Sequence, residues 1–400
     1  MPIFRAAWVL PIAAPPIRHG WVSVEHRTVA GVGGGARRDG VDLGHVVVLP
    51  ALVNAHTHLE LSYLRGAVPP AERFLDWIRE VMAVRRRYPD PHDPAILEAA
   101  RAAIGDARAS GTGVIGDISN TLVTVPLLRD AGAPARVFYE LLGFGADDPA
   151  GRVRQARAAV EGAGAGGDVR VGLAPHAPYS VSPGLFAAIR ADLDAHPEDR
   201  SAVHLAESPD EVEFVERGTG CWRELLHEVG AWTDAWTPPG GSPVTYLAEL
   251  GFLDARVLVV HGVQCTADDL GRLKRLGTTV VSCPRSNRYV GVGEAPIEAF
   301  YAAGVTVAFG TDSLASVADV NVFAELAAAR RLAPRVPARD LLRSATLDGA
   351  RALGFGTRFG SIEEGKQAAL IAVRVPEGIG DVEEYLLSGI EPAAIAWLEE

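Results

Sequence analysis

Residues 46–62 read VVVLPALVNAHTHLELS. An apolar run from Val46 to Val53 that leads into His56-Thr57-His58 has the character of a buried strand carrying two imidazoles at its carboxyl end. Side chains two apart on a strand share a face, so His56 and His58 can meet one ion. A His-x-His pair alone also occurs in ordinary surface loops. The reading therefore depends on whether other strand ends add ligands.

Working outward, the same kind of run recurs at Gly113 to Ile118, Arg136 to Leu142, Val169 to Ala174, Ala202 to Ala206, Val257 to His261, Thr279 to Cys283 and Val305 to Gly310. Between the runs lie Ala-, Leu- and Arg-rich stretches with helical patterning, such as Phe74 to Arg87, Pro94 to Ala109, Pro183 to Asp194 and Ala267 to Leu276. Near-continuous apolar strands separated by helices imply a parallel sheet buried on both faces. Eight such units predict an α/β fold, a (β/α)8 TIM barrel, over residues 51–355. Residues 1–50 and 356–400 hold short β-prone pieces broken by Pro and Gly, and together they predict a small β-sandwich domain formed by both chain termini.

Composition narrows the partners. A net charge of −12 disfavours a broad nucleic-acid or anionic-membrane surface and points to a small molecule. Cys221, Cys265 and Cys283 are too few and too scattered for a disulfide framework or a Cys-rich zinc site. With no long apolar segment and no signal-peptide pattern, a cytoplasmic protein is expected.

In a barrel of this kind reacting groups sit at the carboxyl ends of the strands. Those ends carry His56 and His58, His176, His204 with Glu207, His261, and Asp312. Each has an ordinary structural explanation when taken singly; gathered on one rim they form a site. Three imidazoles and a carboxylate suit one divalent metal, Zn2+ or Fe2+, with a position left for water. The chain has only Lys274 and Lys366, both late, which argues against a two-metal centre bridged by a modified lysine on the fourth strand. Glu207, three residues after His204, faces away from the metal in regular strand geometry, so the strand is expected to end near Ala206.

The stretches LPALVNAHTHLELSYLRG, APHAPYSVSP, HLAES, VVHG, SCPRSN and FGTDSLAS, in this order, resemble the amidohydrolase superfamily. They are most similar to its branch of cytosine-deaminase-like, nucleoside-deaminase-like and triazine-chlorohydrolase-like enzymes. HTHLELS, Phe74-x-x-Trp77-Ile78, HAPYSVSP and CPRSN resemble the 6-aminodeoxyfutalosine deaminases of menaquinone biosynthesis in particular, and shade into S-adenosylhomocysteine and methylthioadenosine deaminases. Ala51 departs from the Pro-Gly usual in this branch.

The resemblance implies that His56, His58, His204 and Asp312 hold the metal and that Glu207, His261 and Asp312 are catalytic. It implies substrate contacts from His176, with Glu207 itself, Ser286, Asn287 and Trp77 lining the pocket. Trp77 has packing within its helix as the alternative, and Asn287 a turn-capping role. Arg285 and Arg288 are candidates to pair with a substrate carboxylate. The implied reaction is hydrolytic deamination of an adenine ring at a cyclic amidine C–N bond, with chloride departure from a triazine as the alternative. A homodimer is the implied assembly.

Overall fold

The computed structural model describes residues 2–398 apart from 36 and 38. Eight parallel strands run in chain order around a barrel. Leu52–Thr57, Thr112–Ser119, Ala135–Leu141 and Val169–Pro175 pair in sequence, as do Ser201–Leu205, Val257–His261, Thr279–Ser282 and Thr306–Phe309. The two sets are joined at both seams. Ser201 Oγ donates to the Leu173 carbonyl at 2.8 Å on one side, and Asp312 N donates to the His56 carbonyl at 3.0 Å on the other. At the second seam a Cβ on Gly310 would lie 2.7–2.8 Å from His56 atoms, so only glycine lets the last strand approach the first this closely.

Alternation along the strands sorts the core into two layers. Val53, Ala55, Val114, Ile118, Ala202, Leu258, Val260 and Ala308 fill the barrel interior, closed off by Leu353 and Phe355. Leu52, Ile115, Val203, Val257 and Val259 point outward to the helices. The helices begin where the sequence supplies caps: Asp93, Asp148, Ser182 and Ser242 each accept a first-turn N–H and precede a proline, whose missing N–H costs nothing at that position.

The apolar run of residues 46–53 is divided between two sheets. Val46–Pro50 ends at the proline, and Leu52–Thr57 starts afresh as the first barrel strand. Pro50 and Ala51 mark the change of sheet. Val46–Pro50 pairs in parallel with Ile3–Val9 and antiparallel with Leu370–Arg374, so both chain ends do share one β structure. That double pairing joins Ile3–Val9, Ile17–Glu25, Thr28–Gly33 and Val41–Asp42 to Leu370–Arg374 and Ile395–Leu398 in a continuous seven-stranded sheet, where a sandwich of two sheets was expected.

Between the fifth and sixth barrel strands three helices that the sequence pattern did not reveal, Pro209–Arg217, Cys221–Glu228 and Pro243–Glu249, are inserted. Trp222 on the second stacks on Tyr179 and meets Phe74 edge-on, tying this insertion to the helix Phe74–Arg85. No helix among the described residues is long and apolar enough to cross a membrane.

Candidate active site

The first strand does not reach the site by alternation alone. Its register against Thr112–Ser119 shifts between Asn54 and Thr57, and this irregularity brings His56 and His58 to the carboxylate of Asp312. His56 Nε2 and His58 Nε2 lie 3.6 and 3.4 Å from Asp312 Oδ1. Asp117 braces the turn from the second strand, accepting the Leu59 N–H at 2.8 Å and the hydroxyls of Thr57 at 3.2 Å and Thr124 at 2.7 Å.

His204 comes in by regular geometry, sharing its face with interior Ala202. Its ring centroid lies 5.0 Å from that of His56 and 5.5 Å from that of His58. The Nδ1 of His204 faces the His176 carbonyl at 3.2 Å and Glu140 at 3.4 Å, which leaves Nε2 for the centre.

The other groups are aimed by left-handed backbone. Ala206 (φ 52°), His261 (φ 74°) and Asp312 (φ 63°) are all non-glycine residues with positive φ at strand ends. Such residues are strained and concentrate at functional sites. His261 would otherwise point outward with Val259. The fifth strand ends at Leu205, and the turn at Ala206 swings Glu207 inward, to 3.5 Å between its Oε1 and His261 Nε2.

Burial sets the electrostatics. His58 is pushed down to about 3 by burial and then by His56, and burial also lowers His261 to about 4 and His204 well below the ordinary imidazole range. These rings are neutral and have lone pairs to offer. Burial, reinforced by the carboxylates of Asp312 and Glu211, holds the Glu207 carboxyl well above the usual range. His261 Nδ1 donates to Asn287 Oδ1 at 2.8 Å, which directs the Nε2 lone pair into the site.

Do these residues fit a divalent ion? His56, His58 and Asp312 offer ligand atoms within 4.8 Å of one another, as do His56, His204 and His261. His56 Nε2 is buried with no hydrogen-bond partner, as a nitrogen reserved for a metal would be. His56 is common to both groups, with His58 and Asp312 in one and His204 and His261 in the other, so the donors present suit a divalent ion.

The other expected residues fall as follows. Ser286 donates to Asp312 Oδ2 at 2.5 Å, and Asn287 holds His261; both are fully buried, so their bonds orient neighbouring site residues rather than line open space. His176 Nδ1 is bonded to Ser180 Oγ at 2.6 Å, and its ring lies beside His204. Trp77 is 8% exposed, stacks on Phe74 and donates to the Ala315 carbonyl at 3.4 Å, which matches the packing alternative. Arg285 is taken up by Glu325 and Asp319 and does not face the site, while Arg288 is exposed on the helix Pro284–Tyr289.

Sequence reasoning missed the buried carboxylates Asp117, Glu140 and Glu211. Asp117 and Glu140 carry no motif that marks them, and Glu211 sits in the acidic run Glu207, Asp210, Glu211, Glu213, which resembles a solvated face.

Residues 47–390 match the family model described as the amidohydrolase family. The chain belongs to the amidohydrolase family. This amidohydrolase is 36% identical over 331 residues, 78% of its length and 75% of the relative's, to the aminodeoxyfutalosine deaminase of Deinococcus radiodurans. It is 32% identical over 394 residues, 93% of its length and 85% of the relative's, to the 5-methylthioadenosine/S-adenosylhomocysteine deaminase of Moorella thermoacetica. Among solved structures it is similar to a zinc-bound adenosine deaminase from Xanthomonas campestris, with a TM-score of 0.83 and 26% identity over 98% of this chain and 90% of that one.

Proposed function

We propose that this amidohydrolase removes the amino group from the adenine ring of a modified nucleoside, with 6-aminodeoxyfutalosine, converted to futalosine and ammonia in menaquinone biosynthesis, as the first candidate. 5-Methylthioadenosine and S-adenosylhomocysteine are the second. The observation that carries the reading is Glu207: a buried carboxyl outside the proposed ligand set, pushed well above the usual range by burial and held 3.5 Å from His261 at the barrel mouth. A ring nitrogen that gains charge during attack needs such a proton donor; a departing chloride does not.

His56, His58, His204 and Asp312 would hold a divalent ion, which when bound would lower the pKa of water and make a nucleophile available at neutral pH. The Nε2 of His261 accepts a hydrogen bond from the attacking water and fixes its direction. Asp312 takes up the water proton while Ser286 and the Ser313 N–H, at 2.5 and 2.8 Å, hold its two oxygens in place. Glu207 protonates the ring nitrogen next to the amino-bearing carbon as the C–O bond forms. The proton on Asp312 then passes to the amine, the C–N bond breaks with loss of ammonia, and the hydroxyl proton of the added oxygen returns to Glu207 as that oxygen becomes the ring carbonyl. Water is consumed and ammonia leaves, so atoms and charge balance. This chemistry involves only the adenine ring and is common to both candidates, so it does not choose between them.

The test is turnover of 6-aminodeoxyfutalosine, 5-methylthioadenosine, S-adenosylhomocysteine and adenosine by metal-loaded protein, followed by the ultraviolet change from adenine to hypoxanthine. A kcat/KM for 6-aminodeoxyfutalosine about tenfold above the rest, equivalent to about 1.4 kcal/mol of transition-state binding, sustains the first candidate. A different winner keeps the chemistry and replaces the pathway. Metal-loaded protein that turns over none of them defeats the deaminase reading, and chlorotriazines are then the next substrates to try.

A further inference from the structure

The helix Pro209–Arg217 opens on Ser208-Pro209-Asp210-Glu211, a spacing that ordinarily makes a capping box. Half of the box is present, since Ser208 Oγ accepts the Glu211 N–H at 3.2 Å. In a capping box the glutamate would return to the N–H of Ser208 itself. Here it reaches further back: Oε1 accepts the N–H of Ala206 at 2.9 Å and Oε2 the N–H of Glu207 at 2.8 Å. One carboxylate thus binds two successive backbone donors across the left-handed residue Ala206.

We propose that Glu211 is a positioning residue whose carboxylate locks the Ala206 turn and so aims Glu207 at the reacting ring nitrogen. The proposal rests on the reading of Glu207 as the proton donor. Three facts carry it. Glu211 is fully buried, so its two oxygens have no water to serve. Ala206 and Glu207 are 1% and 4% exposed, so without Glu211 two buried N–H groups would lack partners. And an alanine holds a positive φ only where its surroundings impose it. The next residue along is the one whose direction the turn decides.

A structural glutamate and a positioning one differ in what their loss does once Glu207 is gone. The experiment is therefore a double-mutant cycle on metal-loaded enzyme with 6-aminodeoxyfutalosine and 5-methylthioadenosine: wild type, E211Q, E207Q and E207Q/E211Q, each with kcat, KM, bound metal and a thermal melt. The amide of E211Q satisfies only one of the two N–H groups. Its kcat is expected to fall by about 10- to 100-fold, part of what a general acid contributes, with KM and bound metal unchanged. In the E207Q background the same change is expected to cost less than about threefold, because residues acting as a unit are not additive.

A double variant lower than E207Q by the full E211Q factor overturns the proposal, as does a wild-type kcat in E211Q. If E211Q does not yield folded protein, E211D, which keeps both oxygens on a shorter arm, is put through the same cycle and judged by the same criterion. Should E207Q itself turn over like wild type, the proton-donor reading falls and this proposal with it; the single E207Q variant separates that failure from a failure of Glu211 alone.

Discussion

The two halves of the barrel aim their site residues by different means. In the first half, His56 and His58 are set by a register shift, and side-chain carboxylates brace them from behind: Asp117 under the His-Thr-His turn, and Glu60 tied to Ser119, Asn120 and Thr121. In the second half, the fifth, sixth and eighth strands each run into a left-handed non-glycine residue, Ala206, His261 and Asp312. The imidazoles proposed as ligands, His56 and His58 of the first half and His204 of the second, need only lone pairs converging on a point, and strand geometry provides that. Glu207, His261 and Asp312, proposed to act on protons and, for Asp312, to bind the ion as well, are aimed off the strand direction by left-handed backbone at or just before them.

Because His204 and Asp312 of the second half belong to the proposed ligand set, the contrast to test is between ligands and groups that only move protons or hold them in place, and damage to each will have a different signature. The largest effect is expected from His58→Ala in the first half: metal affinity falls by more than the about 10- to 100-fold that loss of an outer partner of a ligand costs, so that elemental analysis after dialysis finds the site largely empty, and turnover falls with it. E207Q in the second half is expected to retain the metal and to lose about 10²- to 10⁴-fold in kcat. Loss of metal in E207Q would dissolve the distinction. Asn287→Ala frees the Nδ1–H of His261 and is expected to cost about tenfold or more in kcat, again with full metal content.

The smallest effect concerns stability and pH. Burial raises Asp117 to about 7, and Leu59, Thr57 and Thr124 moderate the shift. Its ordinary value is 3.8, so between about pH 4 and 7 the folded state holds a proton that the unfolded chain has released. Stability from this group is present below pH 4 and is lost as pH rises through 7. Asp117→Asn removes the titration and keeps one acceptor oxygen. Relative to wild type it should therefore gain stability as pH is raised from 5 to 8, by about 1–4 kcal/mol at about 1.4 kcal/mol per unit. Urea melts at several pH values would read this slope, and a flat difference would show that Asp117 is not holding a proton.

Much of the architecture was legible because buried parallel strands announce themselves as unbroken apolar runs. Val257 to His261 and the helices Pro94–Ala109 and Ala267–Leu276 were placed to the residue. Residues 46–53 misled because two different sheets drew on one continuous apolar run, with only Pro50 to mark the break. The inserted helices escaped because they are short and interrupted by Pro and Gly, which leaves too few turns for periodicity to register. At the site, residue types at strand ends identified the imidazoles and carboxylates that gather there. The sequence could not show what holds them. Ser286 and Asn287 look like pocket residues until the hydrogen bonds to Asp312 and His261 are seen, and Glu211 looks like surface charge until its carboxylate is found on the backbone of Ala206 and Glu207.

The strand Val46–Pro50, paired on one side with the chain's beginning and on the other with Leu370–Arg374, has a consequence for synthesis. Its C-terminal partner emerges from the ribosome about 320 residues later, roughly a quarter of a minute to one minute at about 5–20 residues per second. Until then the edge of Val46–Pro50 that faces Leu370–Arg374 in the finished sheet has no partner, so closing this sheet is a late step of synthesis.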